Sequence, residues 1–268
     1  AAYTIALAAE SAVGRPNYAI AAALRGAADT LRAARPINRP LFGAIDRLLH
    51  AAETATEPAS AARAEAELVA MEAALDHAAV GQRGAELLAA RSDVAGDPLQ
   101  LLFIGDQGPL AGGMVGPGFA LLQGLAALGR TAHAWLADGA PLAEGRRAAW
   151  QLDQLDVPHT RIPDAAIGWL LANRRIDALL LRAEWICANG DAVAALGARA
   201  AARLAREAGV PAYVVAPASV SDPTTPDAAG IAGDLLMPHA PQSGARLDPA
   251  ADIVPGSLVS GAISASAG

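Results

Sequence analysis

The pattern of apolar and polar positions changes once along the chain. Over residues 1 to about 95, apolar side chains recur at helical spacing. Residues 18–31 and 41–52 each carry such a stripe, separated by the proline-rich break Arg35-Pro36-Ile37-Asn38-Arg39-Pro40. Residues 60–79 are rich in alanine and glutamate, and the series Ala61, Glu65, Leu68, Met71, Leu75 predicts one face of a helix. A last helix is expected over 84–90, and the glycine- and proline-bearing stretch 92–98 reads as a domain boundary. From there short apolar strands, at 99–104, 131–136, 158–162, 176–181 and 212–216, alternate with helical segments at 119–128, 145–155, 165–172 and 192–208. That alternation predicts an α/β fold with a parallel sheet covered on both faces. The expected organisation is a helical N-terminal domain, 1–95, followed by a parallel-sheet domain, 96–268, which carries the main site loops. Ligands of such sheets bind beyond the carboxyl ends of the strands. The loops to watch are therefore 105–118, 137–145, 182–191 and 217–226.

Composition narrows the function classes. The 268 residues are 53% hydrophobic and 18% charged, with a net charge of -7. This excludes a disordered acidic tail. Alanine supplies much of the apolar count, and no apolar run reaches the roughly 18 residues of a spanning helix. No basic segment followed by an apolar core and cleavage site opens the chain. A cytoplasmic protein without a membrane partner is expected. The acidic balance argues against a nucleic-acid partner. Cys187 is the single cysteine, which excludes an internal disulfide and a multi-cysteine metal cluster. His50, His77, His133, His159 and His239 show no metal-ligand spacing, so no metal or cofactor is expected. The chain has no lysine, which excludes Schiff-base chemistry and a phosphate-loop lysine.

Several segments go further. Arg182-Ala183-Glu184-Trp185-Ile186-Cys187-Ala188-Asn189-Gly190-Asp191 resembles the GADRIAANGD segment of the methylthioribose-1-phosphate isomerase family. That family also includes ribose-1,5-bisphosphate isomerases and the regulatory subunits of translation initiation factor 2B. Arg35-Pro36 with Leu41-Phe42 and Ala44-Ile45-Asp46-Arg47 resembles its RPTAVNLFWAIDR, and Pro16 with Ala19–Ala23 its RGAPAIAIAAA. Glu144-Gly145-Arg146 with Gln151-Leu152 is similar to its QG…EL turn and helix, and residues 248–255 resemble NPAFDVTP. The matches run in family order from residue 13 to about 260. The resemblance implies a helical domain followed by a Rossmann-like domain, a homodimer, and aldose–ketose isomerisation of a sugar phosphate. Such a reaction needs an acid/base pair beside the substrate. The family uses a cysteine in THCNAG and an aspartate in GADRI, and it grips phosphate with arginine, backbone amides and an Asn-Lys pair.

This chain departs from that pattern where the chemistry sits. The THCNAG-like turn is Ile104-Gly105-Asp106-Gln107-Gly108, with glycine at the cysteine position. Glu184 replaces the GADRI aspartate, and the Asn-Lys pair falls on Ala194 and Ala195. The RGAP arginine falls on Val13, with Arg15 two residues on, and the QG glutamine becomes Glu144, which would repel a phosphate it faced. The candidate catalytic residues are Glu184 and Asp106, a two-carboxylate pair whose pKa values mutual repulsion would separate. Each has a plainer reading: Glu184 as a residue fixing the next turn, Asp106 as the acceptor in an Asp-Gln-Gly turn. The candidate ligand-binding residues are Arg35, Arg15, Gln107, Gly108, Asn189, Gly190 and Asp191. Arg35 offers bidentate donors to an anion, whereas Asp191 reads first as the N-cap of a helix over 192–208. Arg146 and Arg147 read as solvated helix charges, Cys187 as a small buried hydrophobe, and the glycines of 112–118 as possible anion-facing amides. Three outcomes stay open: a sugar-phosphate isomerase with altered catalytic groups, a non-catalytic member binding a phosphorylated or sugar-like metabolite or a protein, and an enzyme of a less charged substrate.

Overall fold

The computed structural model describes residues 2–91, 98–108, 116–140, 142–173, 176–234, 249 and 251–265. They form two compact units, Ala1–Leu75 and Asp76–Gly268. The division falls inside a long helix, while most of the 92–98 break lies outside the described residues.

The first unit is helical. It holds α1 (Ala2–Glu10), α2 (Asn17–Ala34), α3 (Arg39–Thr54) and the start of α4 (Pro58–Ala89). The Pro-rich break works as the sequence suggests. Pro40 sits in the first turn of α3, where its missing N–H costs nothing, and Asn38 caps that helix by accepting from the Leu41 N–H at 2.8 Å. Ile5, Ile20, Leu24, Ile45 and Leu48 fill the centre of the unit. The stripe expected on the next helix does not bury itself. Leu68, Met71 and Leu75 are 44%, 54% and 66% exposed, and Ala59, Ala62 and Ala66 form the packed seam instead. Where alanines outnumber large apolar residues, the small side chains let helices approach and become the contact face. The two helices expected over 60–79 and 84–90 are also one: no proline separates them, and the single Gly81 between them is carried within the helix.

The second unit is a parallel sheet between two helical layers. Its strands are β1 (Leu99–Ile104), β2 (Ala132–Ala137), β3 (His159–Ile162), β4 (Ala178–Cys187), β5 (Ala192–Ala194), β6 (Ala212–Val215), β7 (Ser221–Asp222), β8 (Asp252–Val254) and β9 (Gly261–Ile263). The helices are α5 (Pro117–Ala127), α6 (Glu144–Asp153), α7 (Ile167–Asn173) and α8 (Ala198–Glu207). The main sheet runs β3-β2-β1-β4-β6-β9, all parallel. Alternate residues face opposite layers: Leu101 and Phe103 pack with α5 and α6, Leu102 and Ile104 with α7 and α8. Burial on both faces explains the apolar runs of the central strands β1, β4 and β6, whereas the edge strand β3 carries polar residues. The chain winds from β1 outward to β3, then returns to β4 on the other side of β1. The strand order therefore reverses between β1 and β4, the place where sheets of this kind open a crevice.

Close packing of α4 on α5 depends on small residues. A Cβ on Gly81 of α4 would stand 2.3 Å from the Ala120 Cβ of α5, and one on Gly124 would stand 2.8 Å from the Ala85 Cβ.

One segment departs from its local propensity. The alanine-rich stretch 192–208 predicts a single helix, yet Ala192–Ala194 is β5, paired antiparallel with β4 and β8. The helix begins at Ala198, after Gly197 at φ +88°. Ladder pairing and full burial of Ala192, Val193 and Ala194 outweigh alanine's preference for helix. Asp191 is therefore not a helix N-cap. β4 likewise runs past its expected end, to Cys187, with a bulge between Ala183 and Trp185. No helix among the described residues is long and apolar enough to cross a membrane.

Candidate functional site

At the crevice between β1 and β4 three elements deliver charged side chains. β1 ends at Ile104, and Gly105 turns the chain at φ +85°. A Cβ there would lie 3.0 Å from the Arg182 Cβ and 3.1 Å from the Ala195 Cβ, so conformation and space both favour glycine. Asp106 follows and has no exposed surface. Its Oδ1 accepts the Gly108 N–H at 2.9 Å and Gln151 Nε2–H at 3.2 Å, and its Oδ2 accepts Arg147 Nε–H at 3.2 Å. Gln107 is buried and donates to the Leu180 carbonyl at 3.0 Å, tying the turn to β4. A Cβ on Gly108 would fall 2.7 Å from Gln151 Oε1, so any side chain there would displace the Gln151 amide that bonds Asp106.

α6 supplies the second set. Glu144, Arg147 and Gln151 stand at positions i, i+3 and i+7, which share one helical face. Strand β4 supplies the third. Arg182 and Glu184, two apart, share a face, while Ala183 between them packs into the core. Arg182 Nη2 lies 2.9 Å from Glu184 Oε1, its Nη1 lies 3.7 Å from Glu144 Oε1, and Arg147 Nη2 lies 3.8 Å from the same oxygen. The result is a chain of alternating sign: Asp106, Arg147, Glu144, Arg182, Glu184. Glu144 and Glu184 are only 6% and 5% exposed. Burial pushes the Glu144 carboxyl above the ordinary glutamate range. Arg182 and Arg147 pull it back, and Glu184 and Asp106 push it up further.

The structure brings together Asp106, Gln107, Gly108 and Glu184 and adds Glu144, Arg147, Gln151 and Arg182. Arg147 holds a fully buried carboxylate and so does more than the solvated charge its sequence suggests. The spacing on α6 and the i, i+2 relation of Arg182 to Glu184 were the available signals. Asn189, Gly190 and Asp191 lie elsewhere. They close the turn after β4, starting about 10 Å along the strand from Glu184 at ~3.3 Å per residue. There Asn189 and Asp191 exchange two 2.9 Å hydrogen bonds, and Asp191 Oδ1 accepts the Gly256 N–H at 3.1 Å. Burial pushes the Asp191 carboxyl up, but hydrogen bonds from Asn189, Gly256 and Ala228 outweigh it and hold it below the ordinary range. Cys187 is buried beside that turn. Desolvation first, then Asp191, Asp222 and Asp227, push its thiol up, so it stays protonated at neutral pH. Arg15 and Arg35 are exposed residues of the first unit, beside α2. Residues 109–115, which include much of the glycine-rich loop, and 248 and 250 of the C-terminal motif lie outside the described residues. Among the described residues no group of three or more His, Cys, Asp or Glu could hold a metal ion.

A Rossmann-like sheet with charged residues gathered at its strand-order reversal defines the class. The chain belongs to the Initiation factor 2 subunit family, whose model matches residues 1–266. It is 32% identical to the methylthioribose-1-phosphate isomerase of Cronobacter sakazakii over 254 residues, covering 89% of this chain and 73% of that protein. Among solved structures it is similar to 5-methylthioribose 1-phosphate isomerase from Pyrococcus horikoshii OT3, with a TM-score of 0.77, 24% identity, and coverage of 98% and 76% of the two chains. The fold is also shared with translation initiation factor eIF-2B subunit delta from A. fulgidus, at a TM-score of 0.70, 24% identity, and coverage of 98% and 79%.

Proposed function

We propose that this protein is an aldose–ketose isomerase-like member of its family that binds a sugar-like or phosphorylated metabolite at the crevice between β1 and β4. The observation that carries this is the Glu184 carboxylate, buried at the strand-order reversal and paired at 2.9 Å with Arg182, which also faces the buried Glu144 of α6. Relatives that bear isomerase names support the reaction class. Isomerisation opens the sugar ring, with a proton going to the ring oxygen, and moves a proton from C2 to C1 while the 2-hydroxyl gives up its proton as the ketone forms. A buried carboxylate can take the C2 proton, leaving an enol (an enediol where the 1-oxygen carries no phosphate), and return it to C1, while a donor steadies the charge developing on the oxygens. Glu184 is assigned that transfer. Arg182 is the donor nearest to it, and Asp106 serves through its hold on Arg147 and Gln151. The 2.9 Å pair between Arg182 and Glu184 favours a second reading, in which the carboxylate stays engaged and the protein binds a metabolite without converting it. A homodimer in the cytoplasm belongs to the same proposal, and light scattering of the purified chain tests its assembly.

Purified protein incubated with methylthioribose 1-phosphate, ribose 1,5-bisphosphate or ribose 1-phosphate, and with the unphosphorylated sugars, should yield the ketose by proton NMR. Solvent deuterium should enter at the carbon that receives the proton. Binding without conversion leaves the second reading. Neither binding nor conversion of any of these sugars removes both.

A further inference from the structure

The helical unit carries a concave site of its own. Between α2 and the second half of α3 lies a hollow of about 300 Å³, the lower end of the range for small-ligand pockets. Tyr18, Ala21 and Arg25 recur at spacings of three and four along one face of α2, and Leu49, Ala52 and Glu53 share a face of α3. Space remains there because two of these positions are alanine: Ala21 and Ala52 end at Cβ, where longer side chains would fill the seam. Leu24 and Ala52, 2% and 4% exposed, make the hollow's floor apolar. Tyr18 lines it while 77% exposed, so its ring can close over a ligand. The rim carries one charge of each sign. Arg25 and Glu53 stand 3.9 Å apart, beyond hydrogen-bond distance, with side chains 61% and 59% exposed. So loose and wet a pair contributes little to folding, and both groups can turn to a ligand at little cost.

We propose that this hollow binds an apolar α-amino acid, with the ligand's carboxylate on Arg25, its ammonium on Glu53, and its side chain against Leu24, Leu49 and Ala52. The two charges of such a zwitterion hang on one carbon, which matches a cation and an anion that face each other across the rim at 3.9 Å. A guanidinium takes a carboxylate through two parallel N–H bonds, and an ammonium donates to a carboxylate. A ligand with a carboxylate alone would bring like charge to Glu53, and one with an amine alone would bring like charge to Arg25. A sugar would set its hydroxyls on the apolar floor, where Leu24 and Ala52 offer no side-chain hydrogen bond. None of these residues belongs to the crevice between β1 and β4, so this site and the proposed sugar site stand or fall separately.

The test is isothermal titration of the full chain at pH 7 with L-leucine and three relatives that each lack one part of it. Isocaproate lacks the ammonium, isoamylamine lacks the carboxylate, and glycine lacks the side chain. Leucine should bind with a Kd of about 1 mM or tighter, and each relative at least about tenfold more weakly, the scale of one lost charged or apolar contact. Arg25→Gln and Glu53→Gln alter exposed side chains, so the fold is kept, and each should weaken leucine binding by about tenfold. Ala21→Leu should fill the hollow and abolish binding with the circular dichroism unchanged. Absence of saturable leucine binding at about 10 mM overturns the proposal. Isocaproate or isoamylamine binding as tightly as leucine overturns it too, as does leucine binding that survives all three substitutions.

Discussion

The protein uses the same ion-pairing chemistry in two settings. In the helical unit Arg47 bridges Glu65 and Glu72, and Arg63 bridges Glu10 and Glu67, on surfaces where most of the partners are a third to a half exposed or more. In the sheet unit Asp106, Glu144 and Glu184 are almost wholly buried, and their arginines reach in from β4 and α6. Water and salt screen the first set, so each pair contributes little. The second set has lost its water, so each carboxylate depends on its partner. A buried network of this kind is a poor way to gain stability and a good way to hold functional groups in place, which is why the cluster, and not the surface network, is assigned the function.

The difference is sharpest on deleting one cation from the buried set. Arg182→Ala removes the 2.9 Å partner of Glu184 and one of the two guanidinium groups that face Glu144. It should lower stability by about 3 kcal/mol, the scale for stranding a buried charge. Urea unfolding at pH 7 checks this, and a loss below about 1 kcal/mol would put the cluster in the same class as the surface pairs. The loss should shrink at lower pH as Glu144, whose pKa is raised, takes up its proton.

Asp106→Asn comes next. It keeps the shape and one acceptor, but weakens the bonds from Arg147 and Gln151, with an expected cost of about 2 kcal/mol. If Asp106 acts on the site through Arg147, ligand affinity should fall while the substituted chain keeps its circular dichroism. Unchanged affinity would confine Asp106 to the turn.

Glu144 and Asp191 make the pH dependence run in opposite directions. The Glu144 carboxyl is held above its ordinary 4.5 by desolvation, so the folded state binds its proton more tightly than the unfolded chain does. Its stabilising contribution is full below about pH 4.5 and is lost as pH rises through the raised value. Asp191 is held below its ordinary 3.8, so its contribution is present above that value and is lost as pH falls through the depressed one. Glu144→Gln should therefore flatten the fall in stability above pH 4.5, and Asp191→Asn the fall at the acid end. Urea unfolding from pH 3 to 8 reads both. A steeper decline for Glu144→Gln would mean that Arg182 and Arg147 outweigh burial at that carboxyl.

The two units also differ in how much the sequence discloses. β1 occupies residues 99–104 as expected, and β2, β3 and β6 agree to within a residue; β1 and β6 stand out because strands buried on both faces are largely apolar, whereas the edge strand β3 carries His159, Thr160 and Arg161 and is marked by its flanking Pro158 and Pro163. β7, β8 and β9 have two or three residues each, too short for any period to register. Ala192–Ala194 reads as helix because its strand state is imposed by β4 and β8, not by its own residues. In the helical unit the large side chains mislead. Leu68, Met71 and Leu75 make the visible stripe, while the packing falls to Ala59, Ala62 and Ala66, which periodicity cannot separate from other alanines. At the site Glu184 and Asp106 are legible through their places after β1 and along β4. The spacing of Glu144, Arg147 and Gln151 and the i, i+2 relation of Arg182 to Glu184 are in the sequence, but that the two sets meet follows only from the order β2-β1-β4, which sets Glu144 of α6 within reach of Arg182.

The smallest expected effect lies on the surface network. Arg47 contacts two glutamates, one of them 53% exposed, and these hydrogen bonds raise its pKa while lowering that of Glu72. Arg47→Ala removes both contacts, yet each lost charge returns to water that was already close. The change should cost no more than about 1 kcal/mol at low salt and close to nothing at 0.5 M NaCl, where the Debye length falls to ~4 Å. Arg182→Ala measured beside it should keep most of its cost at the same salt, because ions do not enter the crevice as water reaches an exposed helix. Equal salt sensitivity in the two variants would mean that the buried carboxylates are hydrated, and the distinction between the two settings would fail at its physical root.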